Sequence, residues 1–169
     1  HVLKRIVRNC EESETSGDIL LAPEGYEPKE TDVYRKVKMA FYQEAERAGM
    51  IFCELMDFAE KRLLSEKDSR KLQMEELRDM FALMEYRKEA VRITENVYTV
   101  PKIAEHIRND VADLLDHYGK ITIIQVRDQF GTGRKNAKRI LEYTDRISMT
   151  RKDGAETERS DNRKNHSEH

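Results

Sequence analysis

The chain has 169 residues, 38% of them charged, with a net charge of -2 and a mean hydropathy of -0.84. That balance leaves room for one ordinary domain or for two or three small, surface-rich ones, and no apolar run approaches the roughly 18 residues a bilayer span requires. The start, HVLKRIVRNC, has no signal-peptide cleavage pattern, and Cys10 and Cys53 lack CxxC spacing. The expectation is therefore a cytoplasmic protein with ordinary thiols, no disulfide framework and no metal knuckle.

VLKRIV reads as a final helix turn and GDILLAP as a strand ending at Pro23, so residues 1–30 are expected to close a preceding module and the chain to be a piece of a longer protein. Val33, Val37, Phe41, Ala45 and Ala48 then form one apolar helical stripe that ends near Gly49. Phe52, Leu55, Ala59 and Leu63 predict a second helix, and Leu72, Leu77, Met80, Phe81 and Met84 a third. In AVRITENVYTV two β-branched runs flank Thr94-Glu95-Asn96, as in a small hairpin. Residues 31–100 thus make one unit of three helices and a hairpin.

Residues 101–154 repeat the order. Pro101 opens a helix with Ala104, Ile107, Val111, Leu114 and Tyr118 on one face, and Gly119 ends it. Thr122 and Gln125 form a capping box for a short helix with Ile123, Val126 and Phe130 inward. After Gly131-Thr132-Gly133, a further helix turns Ala137, Ile140, Leu141 and Thr144 to the core. This is a helix-turn-helix, with ISMTRK as the strand beyond it and Asp153-Gly154 as a turn. Residues 155–169 are poor in apolar side chains and are expected to be a disordered tail.

The charge is distributed unevenly. From Lys120 to Lys152 there are nine basic residues and three acidic ones, a local +6 that leaves -8 to the rest, so a polyanion is expected at this end only. With Ala137, Ile140, Leu141 and Thr144 inward, Lys135, Arg139 and Arg146 should point outward and Arg134 and Lys138 flank them. The amides of Gly133 and Arg134 at the helix start favour a phosphate oxygen. The plain alternative is a solvated helix face whose charges pair with Glu142 and Asp145. A nucleotide-binding loop is excluded, because Arg134 precedes Lys135 and Asn136 follows it. His106 and His117 are too far apart on one helix to share a metal, and no carboxylates form an acid-base pair.

The stretch RDQFGTGRKNAKRILEYTDRISMTRKDG closely resembles the last winged-helix module of the bacterial selenocysteine-specific translation elongation factor. Arg127, Asp128, Gly131, Arg134, Lys135, Leu141, Glu142, Tyr143, Asp145, Arg146, Thr150, Arg151 and Gly154 fall in register on that family's pattern. The resemblance implies a mainly α fold with small β-hairpins, built of tandem winged-helix modules, the last of which grips the selenocysteine-insertion hairpin of the message. It also implies an upstream GTPase and selenocysteyl-tRNA-binding domains that this stretch lacks. The fragment is accordingly expected to be no enzyme, to need no cofactor, to be a monomer, and to meet the ribosome and selenocysteyl-tRNA only through those upstream parts. Motif position singles out Arg127, Arg134, Lys135 and Arg151, and helix geometry adds Lys138 and Arg139. With Gly133, Arg146 and Lys152 these make up the expected RNA-binding set.

Two departures from the family pattern carry expectations of their own. AETERS supplies one alanine where the family has an apolar return strand, which predicts a shortened wing. Thr144 replaces a large apolar residue, which predicts a looser core. Two other classes of function compete with RNA binding: a DNA-binding winged-helix transcription regulator, whose helix would enter a major groove, and a protein-interaction scaffold, which leaves the basic face unexplained. A face of Lys and Arg with little Asn or Gln suits phosphates better than base edges.

Overall fold

The computed structural model describes residues 30–48, 52–63 and 74–166. The expected earlier module, with VLKRIV and GDILLAP, lies outside these residues.

The first unit opens with α1 (Asp32–Ala48). The Thr31 hydroxyl accepts the Tyr34 N–H at 3.1 Å, satisfying one of the free amides of the first turn. The inward stripe is shifted from the expected one: Val33 is exposed and Tyr34 is buried with Val37 and Phe41. Tyr34 tolerates burial because its hydroxyl donates to Glu89 at 2.7 Å.

The expected second helix is interrupted at its start. Cys53–Glu54 form a short strand, β1, before α2 (Leu55–Phe58), which continues as a π-helical turn over Ala59–Leu63. Helix α3 (Met74–Tyr86) buries Leu77, Phe81, Leu83 and Met84, and the Phe81 ring meets Phe41 and Phe58 edge-on at 5.0 and 5.8 Å. The hairpin β2 (Val91–Thr94) and β3 (Val97–Thr99) turns at Asn96, whose φ is +58°. The three strands form an antiparallel sheet ordered β1-β3-β2, with Cys53 opposite Tyr98 and Val91 opposite Thr99.

The second unit follows the same plan. Helix α4 (Pro101–Tyr118) begins on its proline and stops at Gly119, which takes φ +70° and donates its N–H to Leu115. A strand that the periodicity does not reveal, β4 (Lys120–Thr122), comes next. The capping box is present: the Thr122 hydroxyl accepts the Gln125 N–H while the Gln125 side chain accepts the Thr122 N–H, opening α5 (Ile123–Phe130). Gly131 is left-handed at φ +57° and lets the chain turn into α6 (Arg134–Arg146). Strand β5 (Thr150–Asp153) then turns at Gly154.

The chain does not end there in a disordered tail with a shortened wing. Residues Ala155–Asp161 form β6, the longest strand among the described residues, and a 3-10 turn spans Arg163–His166. The sheet order is β4-β6-β5, so β6 is its central strand, with Arg159 opposite Ile121 on one side and Lys152 on the other. A strand with hardly any apolar side chains holds this place because its inward residue is Arg159, 3% exposed, with its charge met by Asp145.

The two units share apolar packing. Phe52, Ile93 and Val97 of the first join Ile107, Val111, Ile140 and Tyr143 of the second in one buried cluster.

Candidate nucleic-acid interface

Helix α6 buries Ala137, Ile140, Leu141, Tyr143 and Thr144. Tyr143 is an addition to the expected inward residues; its hydroxyl accepts from Arg108 at 3.0 Å, which lets a polar tip end inside. The first turn holds Arg134 and Lys135 with no acid, and Gly133 offers no capping side chain. Two cations at the positive end of a helix dipole are unfavourable in isolation, and an incoming anion relieves them.

The basic face is not uniformly free. Arg134 is exposed, and Lys135 and Lys138 have 71% and 56% of their side chains exposed; Lys138 lies 3.8 Å from Glu142. Arg139, expected to point outward, is only 13% exposed: its Nη2 donates to Glu54 of β1 at 2.7 Å and its Nη1 to Asn136 at 3.1 Å. Lys135 Nζ reaches the same Glu54 oxygen at 2.8 Å. These contacts hold the Glu54 carboxyl below the ordinary range, Lys135 contributing first and Arg139 next.

Arg146 is engaged as well. Its guanidinium donates to the carbonyl of Arg92 on β2 and lies 5.6 Å from the centre of the Tyr143 ring. Burial, and then the neighbouring Arg92, lower its pKa. The outward face is therefore divided: Arg139 and Arg146 dock on the sheet of the first unit, Arg134 and Lys138 face solvent, and Lys135 is exposed yet bonded to Glu54 of that sheet. The sequence expectation differs here because helical periodicity separates polar from apolar but does not say which polar residues a neighbouring module covers.

The wing continues the exposed part. Arg151 and Lys152 stand exposed on β5, which packs against α6, and Lys152 bonds Glu156 at 3.1 Å. The Glu156 carboxyl is held low first by Lys152 and then by Lys138 of α6. Arg127 is exposed on α5 and its guanidinium lies 3.3 Å from Asp128. Lys120, at the other edge of the sheet, is held by Asp153 at 2.6 Å.

Beneath this surface Thr144 has not loosened the core. It is fully buried, with its hydroxyl 3.0 Å from the Leu141 carbonyl and 2.8 Å from the Thr150 hydroxyl. Thr150 donates to Asp145 at 2.6 Å, and an ionised carboxylate only accepts, so the single Thr144 proton is divided between the Leu141 carbonyl and the Thr150 oxygen. Among the described residues no group of three His, Cys, Asp or Glu could hold a metal ion, and no helix is long and apolar enough to cross a membrane.

Helix, strand, two helices and a two-stranded wing, repeated once in the chain, define a tandem winged-helix protein, mainly α with small antiparallel sheets. Residues 113–158 match the family model for "Elongation factor SelB, winged helix". The fold is similar to the mRNA-binding domain of elongation factor SelB from E. coli, a structure solved in complex with SECIS RNA; the identity is 24%, the TM-score 0.58, and the match covers 75% of this chain and 98% of that one. It is also similar to bacterial selenocysteine-specific elongation factor EF-Sec, at 17% identity and a TM-score of 0.54, over 96% of this chain but only 24% of that protein. Among curated proteins no sequence matches. The likeness is thus to the winged-helix, mRNA-binding part of SelB.

Proposed function

We propose that this chain binds the selenocysteine-insertion hairpin of a message through the exposed cations of α6 and the wing, and so recruits an elongation factor to a UGA codon. The observation that carries the reading is the division of α6: Arg134, Lys135 and Lys138 are exposed and join Lys152 and Arg151 of the wing, while Arg139 and Arg146 are docked. A helix half covered by its own neighbour is poorly placed to lie along a DNA major groove. Its exposed end suits phosphates and splayed loop bases of an RNA hairpin, whose own major groove is too narrow for a helix. The SECIS RNA held by the similar E. coli domain supports the choice of RNA.

In this reading GTP hydrolysis, selenocysteyl-tRNA and ribosome contacts belong to other domains of a cytoplasmic factor. The winged-helix part acts as a monomer without a cofactor. The experiment is a gel-shift competition among a selenoprotein-message hairpin, an unrelated hairpin and duplex DNA. Preference for the first is expected, and equal binding of all three would overturn it.

A further inference from the structure

The contact between Glu54 and α6 stands apart from the rest of the module interface. Phe52, Ile93, Val97 and Tyr143 already give that interface an apolar core, and Arg146 is fixed to the Arg92 carbonyl. Glu54 adds one carboxylate oxygen that accepts from Lys135 at 2.8 Å and Arg139 at 2.7 Å. The two cations differ in setting. Arg139 is 13% exposed and also held by Asn136; Lys135 is 71% exposed, in the first turn of α6, on a flexible stem. An acceptor oxygen with two cationic donors is the arrangement a phosphate would meet at the same place.

We infer that Glu54 is an internal stand-in for an RNA phosphate: in the free protein it occupies Lys135, and RNA binding passes Lys135 from Glu54 to the backbone while Arg139 keeps the modules joined. This rests on the RNA-binding reading above. The exchange swaps one anionic partner for another, so the net gain from Lys135 is small in the native chain and larger when Glu54 is neutral. Affinity is thereby restrained, which suits a contact that must be released. The exchange also alters the salt dependence. A lysine already paired within the protein brings few counterion changes of its own, whereas a freed lysine adds up to about 0.9 to the slope of log affinity against log salt.

The test uses the whole 169-residue chain and a selenoprotein-message hairpin, with affinity read by fluorescence anisotropy across salt and folding by circular dichroism. Glu54→Gln should raise affinity roughly three- to tenfold at low salt and steepen the slope, a modest gain fitting an exposed ion pair. Asp57→Asn removes an equal charge three residues away without that contact and should change affinity less than about twofold. In a Lys135→Gln background the gain from Glu54→Gln should vanish. Should Glu54→Gln perturb folding, Glu54→Asp withdraws the carboxylate by one methylene at constant charge and should show part of the gain. A wild-type chain that does not prefer the hairpin defeats the RNA reading itself. A wild-type chain that does, with Glu54→Gln unchanged or weaker, or with the gain surviving Lys135→Gln, overturns the exchange alone.

Discussion

Arg159 on the central strand of the terminal sheet lies with its Nε 2.9 and 2.7 Å from the two carboxylate oxygens of Asp145, near the end of α6. Its Nη1 donates to the carbonyls of Glu156 and Glu158 at 2.7 and 3.0 Å, so the buried cation is met on several sides. The wing is tied to the helix by a polar chain, Thr144 to Thr150 to Asp145 to Arg159, where the family resemblance implies apolar packing.

Arg159→Ala should therefore destabilise the terminal module by about 2 kcal/mol, the range for losing hydrogen bonds to a charged group, read as a lowered denaturant midpoint. Thr150→Val, which takes a donor from Asp145, should cost more than Thr144→Val, which leaves that bond in place. The reverse order would mean that the chain is not organised around the carboxylate.

Truncation separates the wing from the 3-10 turn beyond it. Ending the chain at Gly154 removes the central strand of the β4-β6-β5 sheet, and the terminal module should lose cooperative unfolding. Ending it at Asp161 removes the Arg163 ion pairs with Asp116 and Asp161 but keeps all three strands, and a cooperative melt should survive a modest fall in midpoint. Thermal scans of both decide it.

The cations should sort by location. Arg134→Glu with Lys138→Glu should weaken hairpin binding by at least tenfold and leave the melting curve nearly unchanged, since both side chains are exposed. Arg146→Ala should instead lower the melting temperature, with a smaller effect on affinity, because its guanidinium is engaged by Arg92 and Tyr143. A reversal at Arg139 would place a carboxylate against Glu54 and confound the two effects.

The Glu54 contact sets a pH dependence with a definite sign. A carboxyl whose pKa is lowered on folding contributes stability above its ordinary value of 4.5, and that contribution is lost as pH falls through the lowered pKa. Asp153, Glu156 and Asp161 are also held low, by Lys120, Lys152 and Arg163 in turn, and act in the same direction. Stability of the wild-type chain should fall below about pH 4.5, and Glu54→Gln should flatten part of that fall in a urea titration repeated across pH.

Cys53 is buried, and burial first, then Glu44, Asp57 and Glu54, push its thiol up to about 12. Thiol reagents at neutral pH should leave it unmodified until denaturant is added. Peptide mapping of the labelled chain reports this directly, and rapid labelling of Cys53 in the native chain would contradict its burial.

Much of the terminal module was legible because its signals are local. Pro101, Gly119, the Thr122–Gln125 box and Gly131 each act within a turn of the helix they start or stop, and the structure places each as expected. What escaped was decided across the chain. Strand β1 exists because Cys53 and Glu54 pair with Tyr98 and Val97, and nothing in Phe52-Cys53-Glu54-Leu55 announces it. Ile121-Thr122-Ile123 is a β-branched run that could have signalled β4. Strand β6 was hidden because its inward residue is an arginine, and only the carboxylate of Asp145 makes that burial tolerable. The cationic face could be read by composition, but its docked part depends on Glu54 and Arg92, far away in sequence.

The central position of β6 also bears on how the module is made. A ribosome delivers β4 first and β6 last, roughly two to eight seconds apart at 5 to 20 residues per second. Until β6 emerges, β4 and β5 lack the partner strand that joins them, and Asp145 waits for its arginine. Helices α4 to α6 can collapse on their apolar faces during that interval, yet the wing cannot close. The surface shared by helix and wing is completed at a single late event, the insertion of one strand between two that are already present.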